Sequence, residues 1–515
     1  MARGRVVAVL TVVAGLVTVP IRPAAAVVPS GFSDDLVVAV SGPTALAFTP
    51  DRRMLVTTQG GTLRVVQNGA MAASPAVDLT SRICSQSERG VLGVAVDPAF
   101  ATNRFVYLYY THNLFGTCVN RVSRWVLNDA NVASGEVVLI DRIHSPSGAH
   151  NGGDLQFGKD GYLYVSVGDG GCDYAAPSNC GGGANDAARD RHVLLGKILR
   201  ITRDPGVLPP DNPFLGPGSG PCHVTGSTTA GDWCRETFAW GFRNPFRMAF
   251  DPNAAGVRLY VNDVGEGTWE EIDDVRAGAD HGWNVREGHC ARGSSTNCGP
   301  PPAGMSNPVF DYGRGDGCGS ITGGAFVPAG VWPDAFDGKY LFSDFNCGRI
   351  FRLDPNGAGG FTRTDFATGL GSASAVHMAF GPWNGSQALY YTSYASGGQI
   401  RRIATTTVEV ISGAAFFVDG SSARTMPAGS RVSVFANGAE PGVEYRLVSA
   451  RADPSSRAAC SIDAVPISPT VRYANANGFV GLTSGSVNRP PGDWQICFLA
   501  ADRSTATGPA RVSLT

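Results

Sequence analysis

The sequence contains few charged residues and few histidines. Asp, Glu, Lys and Arg together make up 16% of the 515 residues, there are 8 histidines, and the formal net charge is −2. No run of basic residues occurs along the chain. Nucleic acids and anionic surfaces are bound through clustered Lys and Arg, so this composition argues against both as partners.

Long hydrophobic runs are absent after the first 26 residues, so we expect no membrane span in the mature protein. Arg3 and Arg5 precede an apolar run from Val6 to Val19, and an Ala-x-Ala cleavage site follows at residues 24–26. This pattern predicts a signal peptide over residues 1–26, cleaved before Val27, and a secreted protein. A membrane anchor is the alternative, but the run is short for one.

The 12 cysteines include no Cys-x-x-Cys pair, which argues against a zinc site. An even number of cysteines is typical of proteins from oxidising compartments. Spacing alone does not fix their connectivity. Neighbouring cysteines suggest a local set of disulfides: Cys84–Cys118, Cys172–Cys180, Cys222–Cys234, Cys290–Cys298, Cys318–Cys347 and Cys460–Cys497.

Glycine and proline are abundant, with 67 and 33 residues, as in proteins made of short strands and tight turns. One pattern recurs: an apolar strand, a turn with Pro or Gly, and an aromatic strand. Its six copies begin at Leu46, Val94, Leu155, Met248, Ala325 and Met378. Six radially packed sheets leave few exposed edges, so the repeats predict a six-bladed β-propeller over residues 27–403. An array of β-sandwiches is the alternative, and only residues 186–195 look helical.

The pattern changes after Ile403, where the aromatic hairpins end and three threonines follow. Short alternating segments then begin at Arg431, Glu444, Asp493 and Ala510. They predict a small β-sandwich-like accessory domain over residues 408–515, which makes the whole chain all-β. Two roles for this domain are open. It attaches the protein to a surface or a glycan, or it is an accessory domain without a ligand.

The segment from His150 to Gly171 reads HNGGDLQFGKDGYLYVSVGDGG. Two strand-like stretches flank a Lys-Asp-Gly turn, and a hairpin of this kind returns its two ends to the same place. His150 and Asp169 are then neighbours, which suits a general base and the carboxylate that orients it. The alternative is a structural histidine in a glycine-rich turn.

Eight motifs resemble those of the glucose/sorbosone dehydrogenase family, the soluble quinoprotein sugar dehydrogenases, and they occur in the family's order between about Val38 and Arg402. They are ERGVLGVAVDPAF from Glu88, HNGGDLQFGKDGYLY from His150, GDGG from Gly168, LLGKILRI from Leu194, PPDNPF from Pro209, GFRNPFRMAFDP from Gly241, DVGEGTWEEID from Asp263 and DHGWNVREG from Asp280. The resemblance implies a six-bladed propeller that binds pyrroloquinoline quinone (PQQ) and calcium. It also implies oxidation of a sugar hydroxyl at C1 and an external electron acceptor.

The resemblance also assigns roles to individual residues. His150 is the base, and Asp169 fixes its tautomer. The resemblance implies that Glu88, Arg243 and Asn244 contact the cofactor. It implies a calcium ion that touches the quinone at the carbonyls of Gly265 and Glu266. It implies a second, structural calcium ion at Glu271 and the carbonyl of His281. The alternative for Arg243 is that it only bonds loop carbonyls. The alternative for the calcium ligands is a solvated acidic turn without an ion.

The sequence departs from the family's pattern around the cofactor. The family's sugar oxidisers place an acid before the histidine, where this chain has Ala149, and a glutamine where it has Glu88. They clamp the quinone carboxylates with cations, but the matching positions here are Asn346, Ser374 and Val376. Three cations are candidates to replace this clamp: Arg314, Lys339 and Arg349.

Three functions are compatible with these observations. The first is an exported quinoprotein dehydrogenase that oxidises an aldose or related polyol. The second is a propeller without quinone that binds a glycan or another protein, as the missing clamp and the appended domain suggest. The third is a calcium-dependent hydrolase of the lactonase kind.

Overall fold

The fold is built almost entirely of β-strands. The computed structural model describes residues 26–175, 180, 185–357, 359–384 and 386–405, and beyond residue 405 the backbone of the strands. The helices of this part are one short α-helix, Phe100–Asn103, and two 3₁₀ turns, Asp334–Phe336 and Ala395–Gly397. None of its helices is long and apolar enough to cross a membrane.

Six small antiparallel sheets form the blades of a propeller, which confirms the predicted fold. Blade one consists of Pro43–Phe48, Met54–Thr58, Thr62–Gln67, Ala70–Met71 and Val77–Asp78. Blade two consists of Val91–Val96, Phe105–Leu114, Thr117–Leu127 and Ala133–His144. Blade three consists of Leu155–Phe157, Leu163–Val167, Lys197–Ile201 and Thr237–Trp240.

The second half of the ring has the same organisation. Blade four consists of Pro245–Phe250, Leu259–Asp263, Trp269–Val275 and Phe310–Gly313. Blade five consists of Ile321–Phe326, Tyr340–Asp344, Arg349–Pro355 and Phe361–Ala367. Blade six consists of Ser374–Trp383, Ser386–Ser393, Gln399–Thr405 and the N-terminal strand Phe32–Ala39. Each of the six predicted hairpins forms the first two strands of one blade.

The N-terminal strand closes the ring. Phe32–Ala39 pairs antiparallel with Gln399–Thr405, so one blade contains both ends of the propeller sequence. Two short two-stranded sheets lie in connections between longer strands: Ser219–Gly220 with Trp233–Cys234, and Arg286–Glu287 with Cys290–Ala291. The pairing completes blade six with a strand from the start of the propeller sequence, so hydrogen bonds join the two ends of that sequence.

The first strand of each blade lies innermost and packs against the first strands of its neighbours. Buried apolar side chains fill the space between blades, as where Tyr109 of blade two shares a cluster with Leu155 and Val167 of blade three. Backbones approach closely here, and a Cβ at Gly93 would lie 2.0 Å from the Gly153 carbonyl oxygen. Glycine is therefore required at this inner position.

The helix expected over residues 186–195 is not formed, and that prediction was wrong. The segment consists of turns and ends before the strand Lys197–Ile201. The buried ammonium of Lys197 donates hydrogen bonds to the carbonyls of Ala187, Ala188 and Leu195, at 3.2, 3.1 and 2.6 Å. These carbonyls point at one cation rather than along a helix axis, because a buried ammonium needs oxygen partners.

Five of the six suggested disulfides are present in the described part of the chain. They are Cys84–Cys118, Cys172–Cys180, Cys222–Cys234, Cys290–Cys298 and Cys318–Cys347. The sixth, Cys460–Cys497, lies outside the described side chains, and residues 1–25 of the predicted signal peptide lie outside the described residues.

The strands beyond residue 405 form two sheets. One contains Ala415–Val418, Arg431–Ala436 and Val480–Ser486. The other contains Glu409–Ile411, Thr425–Met426, Glu444–Arg451, Val465–Tyr473, Gly492–Ala500, Thr505–Thr507 and Ala510–Leu514. The elements described beyond residue 405 are all β-strands, as predicted, and the domain boundary at residues 403–408 stays a prediction.

Candidate functional site

A cavity of about 560 Å³ lies on the axis of the ring. Its lining includes inner-strand residues of five blades, Thr44, Leu92, Phe246, Thr322 and Val376. Most of the predicted site residues also line it: Glu88, His150, Arg243, Asn244, Gly265 and Glu266. Its volume is in the range of pockets that enclose small molecules.

The hairpin brings His150 and Asp169 together. Leu155–Phe157 pairs with Leu163–Val167, and the two side chains meet where the hairpin ends converge. His150 Nδ1 lies 2.7 Å from Asp169 Oδ1, and the histidine side chain is 14% exposed whereas the aspartate is fully buried. Among described residues, Nε2 of His150 has no hydrogen-bond partner, and the residue lines the cavity.

Asp169 is a hub of hydrogen bonds. Its Oδ1 also accepts a bond from the Gly171 N–H at 2.8 Å. Its Oδ2 accepts bonds from Asn185 Nδ2 at 2.8 Å and Trp283 Nε1 at 2.7 Å. A carboxylate that faces only donors keeps the hydrogen of His150 on Nδ1, which leaves the Nε2 lone pair for a proton from a ligand.

Asn185 and Trp283 are site residues that sequence reasoning missed, since both donate to Asp169. Asn185 lies outside the eight matched motifs, and Trp283 lies in a matched motif without an assigned role. Arg189, which follows Asn185 in the chain, forms a two-point ion pair with Asp280, at 2.6 and 2.7 Å. This pair attaches the end of the segment near Trp283. The local sequence around Asn185 and Trp283 does not indicate that either residue bonds Asp169, because the partners are not neighbours in the chain.

The backbone at His150 is held in the left-handed region, with φ of 50°. Its N–H donates to Glu88 Oε2 at 2.7 Å, and the same oxygen lies 3.4 Å from Asn244 Nδ2. Non-glycine residues in this conformation need support from their surroundings. Glu88 supplies that support, so the structure shows it positioning the predicted base as well as lining the cavity.

Arg243 and Asn244 are fixed through their backbones. Asp263 Oδ2 accepts the Arg243 N–H at 2.9 Å and its Oδ1 accepts the Asn244 N–H at 2.6 Å. The Arg243 guanidinium donates to the Val264 carbonyl at 2.9 Å and lies 5.6 Å from the centre of the Trp283 ring. Arg243 lines the cavity, and the hydrogen bond that its guanidinium makes to a described residue goes to a neutral carbonyl.

The carbonyls predicted to face a quinone-touching calcium are bonded to an arginine instead. Arg314 donates to the Gly265 carbonyl from Nη2 at 2.9 Å and to the Glu266 carbonyl from Nη1 at 3.2 Å. The Glu266 side chain points elsewhere and forms a two-point pair with Arg292, which lowers the pKa of its carboxyl. These residues fit a guanidinium at this position rather than a calcium ion.

A cluster of buried carboxylates, by contrast, does fit a cation. Asp263, Glu271 and Asp273 are buried, and each offers an oxygen within 4.8 Å of the others. Burial raises the pKa of Glu271 well above its usual value, and the charge of Asp273 adds to this. Both oxygens of Asp273 lack a hydrogen-bond partner among described residues. His281 Nδ1 lies 3.0 Å from Asp273 without hydrogen-bond geometry. Unpartnered buried carboxylate oxygens are the ligands that calcium prefers.

The family model for glucose/sorbosone dehydrogenases matches residues 40–371, which is more than half of the chain. The chain belongs to the glucose/sorbosone dehydrogenase family. The aldose sugar dehydrogenase YliI of Escherichia coli is 30% identical over 245 residues, which cover 47% of this chain and 58% of that protein. The HIPL2 protein of Arabidopsis thaliana is 27% identical over 356 residues, 56% of this chain and 47% of that protein.

Solved structures in this family share the propeller. A putative oxidoreductase (glucose dehydrogenase) from Thermus thermophilus is 25% identical, with a TM-score of 0.55, and the match covers 72% of this chain and 99% of that one. The chain spans about half the length of the curated relatives it matches.

Of the clamp positions of the glucose/sorbosone dehydrogenase family, one lies in the cavity wall. Val376 lines the cavity, whereas Ser374 is buried and bonds the Leu370 carbonyl and Ser393. Asn346 is exposed and outside the lining. All three of these residues are neutral, so they contribute no positive charge to the cavity.

The three candidate replacements differ in position. Lys339 pairs with Asp354 at 3.2 Å and Arg349 lies 3.9 Å from Asp365, and neither lines the cavity. Arg314 does line it. A fourth cation, Arg247, is buried at the axis and donates to the Thr44 carbonyl at 2.8 Å. Sequence reasoning missed Arg247, although it lies in a matched motif.

Proposed function

We propose that the protein is a quinone-dependent dehydrogenase that oxidises an aldose or a related polyol with bound PQQ. The observation that supports this most is the hydrogen-bonded pair of His150 and Asp169, whose free Nε2 opens into a cavity of small-molecule size. A positioned base beside a cavity is what alcohol oxidation requires.

PQQ bound in the cavity would supply the acceptor for the hydride that leaves the sugar carbon. His150 contributes by taking the hydroxyl proton on Nε2 while the substrate is held in the cavity. Asp169 keeps the other ring hydrogen on Nδ1 and stabilises the positive charge that His150 gains. The donors Asn185 and Trp283 hold the carboxylate in place, so the base does not have to reorganise during proton transfer.

Arg243 would stabilise negative charge that develops on a ligand during the reaction. Its guanidinium lines the cavity without a carboxylate partner, and Asp263 fixes its backbone. Charge that is already oriented costs no reorganisation when the transition state forms. Glu88 and Asn244 complete this wall and hold the His150 backbone in its left-handed conformation.

A calcium ion at Asp263, Glu271 and Asp273 would serve the site from behind. The ion would neutralise the repulsion among these three buried carboxylates. One of them, Asp263, fixes the backbone of Arg243 and Asn244. The carbonyl of His281 and the Glu271 side chain remain the predicted ligands, and Asp263 and Asp273 extend that set. This calcium is structural and does not touch a substrate in the proposal.

We also propose that the protein is exported. Five disulfides in the described part of the chain support an oxidising compartment, in agreement with the predicted signal peptide of residues 1–26. The dehydrogenase would then consist of residues 27–403, followed by the accessory β-domain of residues 408–515.

The test is a steady-state assay with the purified mature chain, PQQ and calcium. We expect dye reduction with at least one aldose or polyol from a panel, and a loss of about 10² to 10⁴ in kcat for His150→Gln, the effect of removing a general base. Arg349→Ala serves as a control that changes a charge outside the cavity. Quinone binding without oxidation of any sugar in the panel would refute the proposed activity.

A binding function without quinone is the second candidate, and the neutral residues at Asn346, Ser374 and Val376 favour it. Affinity for a glycan or protein in a preparation free of quinone, combined with no measurable PQQ binding, would decide for it. The dehydrogenase predicts the reverse result in both measurements.

A further inference from the structure

One guanidinium occupies the position that the family resemblance assigns to a calcium ion. Arg314 Nη2 donates to the Gly265 carbonyl at 2.9 Å and to Glu270 Oε1 at 2.6 Å. Its Nη1 donates to the Glu266 carbonyl at 3.2 Å. The two carbonyls that would face a metal ion therefore already face a cation that belongs to the chain.

The position of Arg314 is fixed from several sides. Glu270 is fully buried, and its second oxygen accepts bonds from the Ile321 N–H at 3.0 Å and the Gly265 N–H at 3.3 Å. A Cβ at Gly319 would lie 2.9 Å from Arg314 Cγ, so a bare backbone is needed to admit the side chain. Breaking the pair would leave the buried Glu270 without an opposite charge, which is costly.

The guanidinium can still bind a ligand. It has five N–H groups, and the three bonds to Gly265, Glu266 and Glu270 leave two of them. One is on Nη1, and the other is the Nε–H, which is buried without a hydrogen-bond partner among the described residues. Its side chain is 31% exposed and lines the cavity. A planar guanidinium bonds carboxylate and quinone oxygens through fixed donors, whereas calcium requires six to eight oxygens around it.

We propose that Arg314 replaces the cavity's calcium ion, so that a planar, carboxylate-bearing quinone binds to this protein without a metal ion in contact with it. The identity of the ligand rests on the proposed function, whereas the position of the cation rests on the contacts of Arg314 alone. Arg243 is the second cation of the same wall.

The experiment is a calorimetric titration of PQQ into the full mature chain, in chelator and in millimolar calcium. A calcium ion at the carboxylate cluster acts on Arg243 through Asp263, which accepts the Arg243 N–H. The titrations are therefore repeated with Asp273→Asn, which removes one carboxylate of the cluster. We expect Asp273→Asn to bind PQQ with the same affinity, within threefold, in both buffers. We expect Arg314→Gln to weaken binding in chelator by about 10- to 100-fold, the effect of losing a charge-assisted bond.

The matched control is Arg349→Ala, which removes the same charge outside the cavity and should change PQQ affinity less than threefold. Melting temperatures establish that each variant is folded. Calcium-dependent PQQ binding in both the wild type and Asp273→Asn would overturn the inference and leave the proposed oxidation intact. Unchanged affinity for a folded Arg314→Gln variant, or no binding of PQQ in either buffer, would also overturn it. Metal-free PQQ binding without sugar oxidation would support the inference and refute the proposed activity.

Discussion

The substitution Asp169→Asn tests how the base is oriented. It keeps the size of the side chain and removes its charge, while the four donors around it stay: His150 Nδ1, Gly171 N–H, Asn185 Nδ2 and Trp283 Nε1. The amide offers one oxygen and one NH₂ group, so one pair of donors must meet another donor.

The two orientations of the amide are unequal. With NH₂ at the Oδ2 position it opposes Asn185 and Trp283, neither of which can become an acceptor at these atoms. With NH₂ at the Oδ1 position it opposes Gly171, but His150 can move its hydrogen from Nδ1 to Nε2 and accept a bond. The second orientation leaves fewer unmet donors, so the variant should hold the tautomer in which Nε2 is no longer a base.

The expected effect follows from these contacts. Restoring the productive tautomer leaves a donor facing a donor, at a cost of about 1–3 kcal/mol, and the charge-assisted bond that is lost contributes about 1.5–3 kcal/mol. A total of about 2.5–6 kcal/mol corresponds to a decrease in kcat of about 10² to 10⁴. Asp169 does not line the cavity, so PQQ affinity should change less than threefold.

The assay is steady-state dye reduction with a saturating sugar, together with a calorimetric titration of PQQ. Asp173→Asn is the matched control, because Asp173 lies in the same loop and bonds only the Ala175 N–H, at 2.9 Å, among described partners. A folded Asp169→Asn variant that keeps more than a third of the wild-type kcat would refute this account of the base.

Three further predictions concern stability. Calcium at about a hundred times its dissociation constant should stabilise the wild type by about 3 kcal/mol, or about 5 °C in melting temperature, and Asp273→Asn should abolish this shift. Burial lowers the pKa of Lys197 to about 7, so the native state binds fewer protons than the unfolded state above that pH. Urea unfolding should therefore show about 2 kcal/mol of added stability from pH 7 to pH 9, absent in Lys197→Met, and parallel pH profiles would contradict this. Replacing Cys222 and Cys234 by serine opens a 12-residue link and should cost about 3 kcal/mol in the same assay; a cost below about 1 kcal/mol would contradict it.

Much of the fold and the contact between His150 and Asp169 could be predicted because their signals are local in the sequence. Each blade begins with a hairpin whose apolar and aromatic strands are adjacent in the chain, so six repeats were visible without any long-range information. The pairing of His150 with Asp169 followed from the same geometry, since both residues lie at the ends of one hairpin.

The rest depends on contacts between distant segments. Arg314 reaches Gly265 across 49 positions of sequence, and Trp283 reaches Asp169 across 114, and no spacing rule encodes either bond. The helix expected over residues 186–195 was wrong for a related reason. Lys197, which lies beyond that segment, binds its carbonyls from the neighbouring strand, and a tertiary contact of this kind overrides local propensity.

The most direct test of the central claim is a single-turnover measurement on the PQQ-loaded wild type. Mixing it with an excess of a sugar identified in the panel, without an external acceptor, should produce the absorbance change of quinone reduction, with an amplitude of one quinone per chain. The same mixture with His150→Gln should show a rate lower by about 10² to 10⁴. No absorbance change in the wild type, or equal rates in the two proteins, would contradict the account.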